Sequence, residues 1–368
     1  MMGLLSGAIG LFESKHLVYG YSNARVRARK AKILQWESFE DLSSQNTVNG
    51  VIAMLERTYY KDTLSQISLS RVSRAETVEI AAGMHYAEVV GRVRGFVPPK
   101  ARPAIDALVR KWDFLNLKMI IASRRAGRKW EQIRPYIIPA GTLSMAELEG
   151  IARADGEKIY VGIRRTDLGR EMFSQTSSLI RGTELEQMLI QSLKSAQVLN
   201  QLQVLLDTAY YNYLDSGMEI PDREAGILRN IVRKEIDARN IINTLRLAKA
   251  GVKSEDTLEK YTIKGGTMKQ SALRALLSAD GMESALRIIR PTFSLKGEYK
   301  SLVELEMAFK QEIARERIKR FYRATVSLGT ILGFLFIKEE EMNNLRRVVR
   351  GIDYRLSPEE IRSTLVEY

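Results

Sequence analysis

One short helical phrase occurs three times in this chain, and its recurrence limits the possible folds more than any other feature. Asp113-Phe114-Leu115-Asn116-Leu117-Lys118-Met119-Ile120-Ile121 returns as Asp237-Ala238-Arg239-Asn240-Ile241-Ile242-Asn243-Thr244-Leu245, and again as Glu341-Met342-Asn343-Asn344-Leu345-Arg346-Arg347-Val348-Val349. The shared pattern is an acid, an Asn three residues on, and apolar positions around them. On an α-helix, residues three and four apart share a face, so each copy sets an amide at the border of an apolar stripe.

A second marker alternates with the first. Leu55-x-x-Thr58, Ile163-x-x-Thr166 and Ile289-x-x-Thr292 each precede one Asn copy. In the first two copies a glycine follows the Asn by eleven residues, Gly127 and Gly251, and then come Gly141-Thr142-Leu143 and Gly266-Thr267-Met268. The third copy departs: its glycine, Gly351, falls four residues early, and no Gly-Thr follows. Solenoid repeats run about 20 to 50 residues, whereas these copies lie 124 and 104 residues apart. Three tandem domains are expected, at 1–140, 141–265 and 266–368. A length of 368 residues agrees, since domains are commonly about 100 to 150 residues.

The composition, 45% hydrophobic and 27% charged, is that of a packed globular chain. Eight prolines in the whole sequence favour long helices. Helices are read at 21–39, 49–60, 76–94, 104–126, 145–153, 183–216, 222–249, 270–277, 282–290 and 300–337. Ser357-Pro358-Glu359-Glu360 has the cap, proline and acids of a helix start. No convincing strand is found, so the fold class is all-α.

The inventory disfavours catalysis. There is no cysteine, and the only histidines are His16 and His85, which nearly removes zinc clusters and His-dependent triads. Gly3, Gly7 and Gly10 lack the lysine and preceding strand of a phosphate loop. Tyr210-Tyr211-Asn212-Tyr213 reads as core or interface. No catalytic residue, cofactor, metal or small-molecule substrate is expected. Spanning a membrane takes about 20 apolar residues. The nearest stretches, 1–12 and 324–337, fall short; the latter reads as a buried core helix.

Charge is uneven. Residues 1–140 hold 22 of the basic and 12 of the acidic side chains, while the whole chain is +13. Arg25, Arg29 and Lys32 line one helix face. Such a face is often only solvated; it also suits an acidic protein surface, nucleic acid or anionic lipid.

The front motif Tyr19-Gly20-Tyr21-Ser22-Asn23-Ala24-Arg25-Val26-Arg27-Ala28, with Leu55-x-x-Thr58-x-Tyr60 and Lys111-Trp112-Asp113-x-x-Asn116-Leu117-Lys118, resembles the C subunit of archaeal A-type ATP synthases and bacterial V/A-type ATPases, whose counterpart in the eukaryotic vacuolar ATPase is the d subunit. The resemblance covers nearly the whole chain; residues 1–15 match nothing. It implies a pseudo-threefold funnel of three helical domains and a non-catalytic central-stalk role. Such a collar would join a shaft made of the D and F subunits to the membrane proteolipid ring, at the cytoplasmic face and without a transmembrane helix of its own.

Two expectations follow for particular residues. Asp113/Asn116, Asp237/Asn240 and Glu341/Asn344 make corresponding hydrogen bonds that fix helix geometry, or else each merely satisfies nearby turns. Arg25, Arg27, Arg29, Arg92, Arg94, Arg124, Arg125 and Arg128 are candidates for docking to rotor surfaces, with anionic lipid headgroups as a variant. The alternative from another class is a basic α-helical nucleic-acid-binding scaffold, supported by a pI near 9.7 with Trp112 and Trp130 nearby. Against it, no recognition-helix or RNA-platform motif is present.

Overall fold

A computed structural model describes residues 18–67, 72–174, 182–217, 223–323 and 326–368. Among these residues all regular structure is helical, with no strand. The described residues gather into two compact units, one from those within 1–105, 218–231 and 307–368, the other from those within 106–217 and 232–306. The segment 1–12 lies outside the described residues.

The first unit begins with α1, residues 18–30, then α2 (Trp36–Ser43), α3 (Val48–Leu55), α4 (Lys61–Ser65) and α5 (Arg74–Phe96). α6 (Arg102–Arg125) starts here and continues into the second unit. The second unit follows with α7 (Trp130–Ile133), α8 (Met145–Arg153), α9 (Ile159–Arg164), α10 (Asp167–Ser174), α11 (Gly182–Ser192), α12 (Ala196–Gly217), most of α13 (Arg223–Lys249), α14 (Glu255–Lys260), α15 (Gln270–Leu277) and α16 (Gly281–Ile289). Most of α17 (Leu302–Arg323), then α18 (Leu328–Asp353) and α19 (Pro358–Thr364), complete the first unit.

Capping sets many of these boundaries. α5, α8 and α19 each open on a Ser whose hydroxyl accepts the N3 amide while the N3 Glu reaches back to the Ser amide. This reciprocal pair satisfies two otherwise orphaned donors. The x-x-Thr marker closes three helices in one way. The amides of Thr58, Thr166 and Thr292 donate to the carbonyls of Leu55, Ile163 and Ile289 at 2.9, 3.0 and 2.9 Å, and those three apolar side chains are buried.

α18 forms the centre of the first unit, packed along α5 and touching α2, α3 and α19. Every residue from Leu328 to Glu339 is buried, in accord with the core-helix reading of the apolar run. Each fully buried Leu, Ile or Phe there contributes about 1.5–3 kcal/mol of transfer free energy.

Three expected helices are interrupted. The run 21–39 breaks at 31–35, where the Leu34 amide leaves the helix to donate to Glu341 and Gln35 is extended. The run 183–216 breaks at 193–195, between α11 and α12. The run 300–337 breaks before Ser327, whose backbone is extended and whose N–H and C=O are both taken by the Asn23 side chain, at 3.2 and 3.1 Å. In the first and last cases a buried polar side chain from far along the chain takes over backbone groups that a continuous helix would have used.

Candidate functional site

The three acid-and-amide phrases occupy α6, α13 and α18. All six side chains are buried: the acids are 0% exposed and no Asn exceeds 4%. Beyond each Asn the helix runs on to a left-handed residue, a short helix follows, and the chain returns alongside. Asn116 Nδ2 donates to Ile138 O at 2.8 Å and its Oδ1 accepts from Ile138 N at 3.2 Å. Asn240 treats Ile263 in the same way, at 2.8 Å for both bonds. Asn344 does so with Val366, at 2.8 and 3.0 Å. A side-chain amide thus stands in for a peptide and satisfies one buried donor and one buried acceptor.

In the first two copies the acid holds the start of the next helical segment. Asp113 Oδ2 accepts from the amide and hydroxyl of Thr142, both at 2.8 Å, and Oδ1 from Leu143 N at 2.9 Å. Asp237 accepts from the amide and hydroxyl of Thr267 and, at 2.9 Å, from Met268 N. These bonds account for the Gly-Thr pair. A Cβ at Gly141 or Gly266 would overlap the carboxylate, and the Thr hydroxyl supplies the third donor. Burial raises the Asp113 pKa despite the opposing donations from Thr142 and Leu143.

The third copy has the same joint with a different closure. Glu341 Oε1 accepts from Leu34 N at 3.0 Å, so Leu34 takes the place of Leu143 and Met268, and α2 follows it as α8 and α15 follow theirs. The Leu34 carbonyl accepts from the Tyr368 hydroxyl at 3.0 Å. Where the other copies offer a Thr hydroxyl, Glu341 Oε2 meets the ammonium of Lys338. Lys338 also donates to Tyr60 Oη at 3.2 Å and lies 4.9 Å from the centre of that ring. Burial lowers the Lys338 pKa although Glu341 opposes the shift. His85 stacks on Tyr60 with ring centres 4.6 Å apart. Burial, and then the cations Lys338 and Arg92, push its pKa down to about 3.

The Gly351 assignment is corrected by the backbone. Gly127 and Gly251 adopt φ of 72° and 76°, and the matching residue in copy three is Arg355, φ 59°, the only non-glycine with positive φ among the described residues. Each is followed by the same closing bond, from Arg128 N to Ser123 O, Val252 N to Leu247 O and Leu356 N to Gly351 O, a Schellman-type end. Gly351 instead lies inside α18, where Ile361 leaves no room for a Cβ. Counting eleven residues from Asn344 finds Arg355. Lys338 had a signal too, a cation ending an apolar run three residues before an acid. Leu34 had none, because it acts through its backbone.

The candidate docking arginines fall into two groups. In the first unit Arg25 and Arg29 lie 4.7 and 5.9 Å from the centre of the Phe96 ring, Arg27 lies 5.6 Å from that of Phe321, and Arg92 pairs with Glu88 at 3.5 Å; Arg94 is half-buried on α5. Arg29 and Arg92 line one cavity of about 280 Å³. In the second unit Arg124 and Arg128 line a hollow of about 430 Å³, and Arg125 is exposed beside it. There Arg124 donates to Ala152 O, and Arg153 binds Glu131 and Glu149 at 2.6 Å each. Tyr210, Tyr211 and Tyr213 are buried, with Phe114 packed on the first and third. Among the described residues no group of three His, Asp or Glu is placed to hold a metal ion.

Comparison with known proteins finds one family across nearly the whole chain. A family model described as "ATP synthase (C/AC39) subunit" matches residues 22–364. The C subunit of the A-type ATP synthase from Methanocaldococcus jannaschii is 26% identical over 364 residues, covering 95% of this chain and 86% of that protein. The proteins of the same name from Thermococcus onnurineus and Desulfurococcus sp. are each 28% identical, over 95% of this chain and 90% of their own length.

Proposed function

Because the chain belongs to the ATP synthase (C/AC39) subunit family, we propose that it is a non-catalytic central-stalk component, a collar that couples a shaft made of the D and F subunits to the membrane proteolipid ring. Torque then passes between ATP chemistry and ion transport. The observation that carries this reading is the third joint. Glu341 closes on Leu34, from the opposite end of the sequence, just as Asp113 and Asp237 close on the segments that follow them. Three copies of one joint, the last closing on a residue from the other end of the sequence, suit a part that bears static load. No helix among the described residues is long and apolar enough to cross a membrane, and the collar is proposed to sit peripherally on the cytoplasmic face.

The arginines of α1 and α5 are proposed to dock acidic or polar rotor surfaces, with anionic headgroups as a variant. Exposed charges are screened within about 8 Å at physiological salt, so assembly should weaken as salt rises. The nucleic-acid reading rests on net charge and on Trp112 and Trp130, and both of these rings are buried.

The test is reconstitution of ion pumping in vesicles with and without this chain. The expected result is that ATP hydrolysis continues without it while ATP-driven pumping is lost, and adding the chain back restores pumping. Equal pumping in its absence would defeat the coupling role.

A further inference from the structure

The cavity in the first unit is built differently from its surroundings. Arg29 from α1, Lys32 from the turn after it, Lys61 from α4 and Arg92 from α5 converge on a space of about 280 Å³. Two carboxylates share it, Asp62 and Glu88, and of these two, among the described residues, only Glu88 engages a cation, Arg92 at 3.5 Å. Arg29 and Lys32 lie against rings, 5.9 Å from the centre of Phe96 and 4.9 Å from that of Tyr59. Among the described residues no carboxylate pairs with Arg29, Lys32 or Lys61. Lys338 and His85 also line the space, but Lys338 is committed to Glu341 and His85 is neutral at ordinary pH. In the hollow of the second unit two of the four lining cations, Arg124 and Arg153, already have partners.

We propose that this cavity is a binding site for a small phosphorylated anion, of the phosphate-monoester or pyrophosphate class. The cations outnumber the carboxylates by two, and their crowding is felt within the site: after burial, Arg92 and Arg25 are the neighbours that lower the Arg29 pKa. A ligand with two or more negative charges relieves that repulsion. Two guanidiniums from different helices offer planar forks that match phosphate oxygens, and two ammoniums add point charges. The volume of about 280 Å³ lies just below the usual range of ligand sites, about 300 Å³ and upward, which suits a compact anion better than a protein segment. Ile33, Val89 and Phe334 also line the space, while Lys32, Lys61 and Arg92 are exposed and open to an incoming ligand. The site stands on this cluster whether or not the chain joins a rotor.

The test is calorimetric titration of the full chain with pyrophosphate, and separately with inorganic phosphate and sulfate, at fixed ionic strength. The proposal expects saturable binding, tighter for pyrophosphate than for sulfate and weakened at least tenfold by Arg29→Ala or Arg92→Ala. Arg125→Ala, on the other basic face, should leave it unchanged. Lys61→Met, an exposed position, gives the same reading should an arginine variant fail to fold, and helical circular dichroism monitors that. Flotation with phosphatidylcholine vesicles, with and without phosphatidic acid, separates the sources. Pyrophosphate binding without flotation assigns a soluble ligand, and flotation lost in Arg29→Ala assigns a lipid phosphate. Absence of saturable binding to any probe, or binding unchanged in Arg29→Ala, Arg92→Ala and Lys61→Met alike, overturns the proposal.

Discussion

The joints at Asp113 and Asp237 and the joint at Glu341 do one task with different chemistry. In the first two, a short carboxylate sits against a glycine and collects three neutral donors from the chain that follows. In the third, the next segment comes from the other end of the sequence. A longer acid reaches it, no glycine is present, and a buried ammonium replaces the hydroxyl. Where the partner is covalently near, neutral hydrogen bonds suffice. Where it is distant in sequence, the joint carries an ion pair whose halves are each costly to bury alone. The three amide clamps, by contrast, are alike throughout.

The largest effect should come from breaking that pair. Lys338→Met leaves the Glu341 charge buried with only neutral donors, the Leu34 amide and the Tyr60 hydroxyl, and is expected to cost about 3–5 kcal/mol in urea unfolding. Adding Glu341→Gln, which keeps an acceptor for Leu34, should recover more than half of that loss. A Lys338→Met variant within about 1 kcal/mol of wild type would mean that the ion pair is not what closes the third joint.

Where the copies are alike, their losses should match. Asn116→Leu, Asn240→Leu and Asn344→Leu each orphan one N–H and one C=O, at about 1–3 kcal/mol for each buried group. A copy that loses almost nothing would not share the joint. Glycine separates the copies again. Gly141→Ala and Gly266→Ala should cost about 1–3 kcal/mol by crowding the carboxylate, while Lys32→Ala, the matching position before Leu34, should stay within about 0.5 kcal/mol.

Acid should single out the third joint through His85. Its folded pKa, about 3, lies below the unfolded value of about 6.5, so the native state excludes a proton that the unfolded chain accepts. Its contribution is complete above about pH 6.5 and is lost as pH falls toward 3, at about 1.4 kcal/mol per pH unit at most. Unfolding at about pH 6.5 and about pH 5 should show a smaller loss in His85→Phe than in wild type; equal losses would place the acid sensitivity elsewhere.

Much of this was legible in the sequence because it lies in local chemistry. The spacing of Asp113 and Asn116 fixes their common face, Ser357-Pro358 marks a helix start, and α8 and α15 have the expected bounds. The all-helical fold class followed from the same periodicity and was found. The breaks at 31–35 and before Ser327 were not legible, since they depend on Glu341 and Asn23 reaching backbone hundreds of residues away. Arg355 could be found only by its place eleven residues past Asn344, not by its residue type, because glycine is the usual occupant of a left-handed helix end. The two groups of arginines looked like one basic region only because they are near in sequence; packing divides them between the two units.

The most direct measurement is amide hydrogen exchange at Leu34, Leu143 and Met268, the three backbone donors to the buried acids. If the chain closes on itself through one repeated joint, Leu34 exchanges as slowly as the other two, within about tenfold, the equivalent of about 1.4 kcal/mol. A Leu34 amide that exchanges at the rate of an open chain, while Leu143 and Met268 stay protected, would contradict the account.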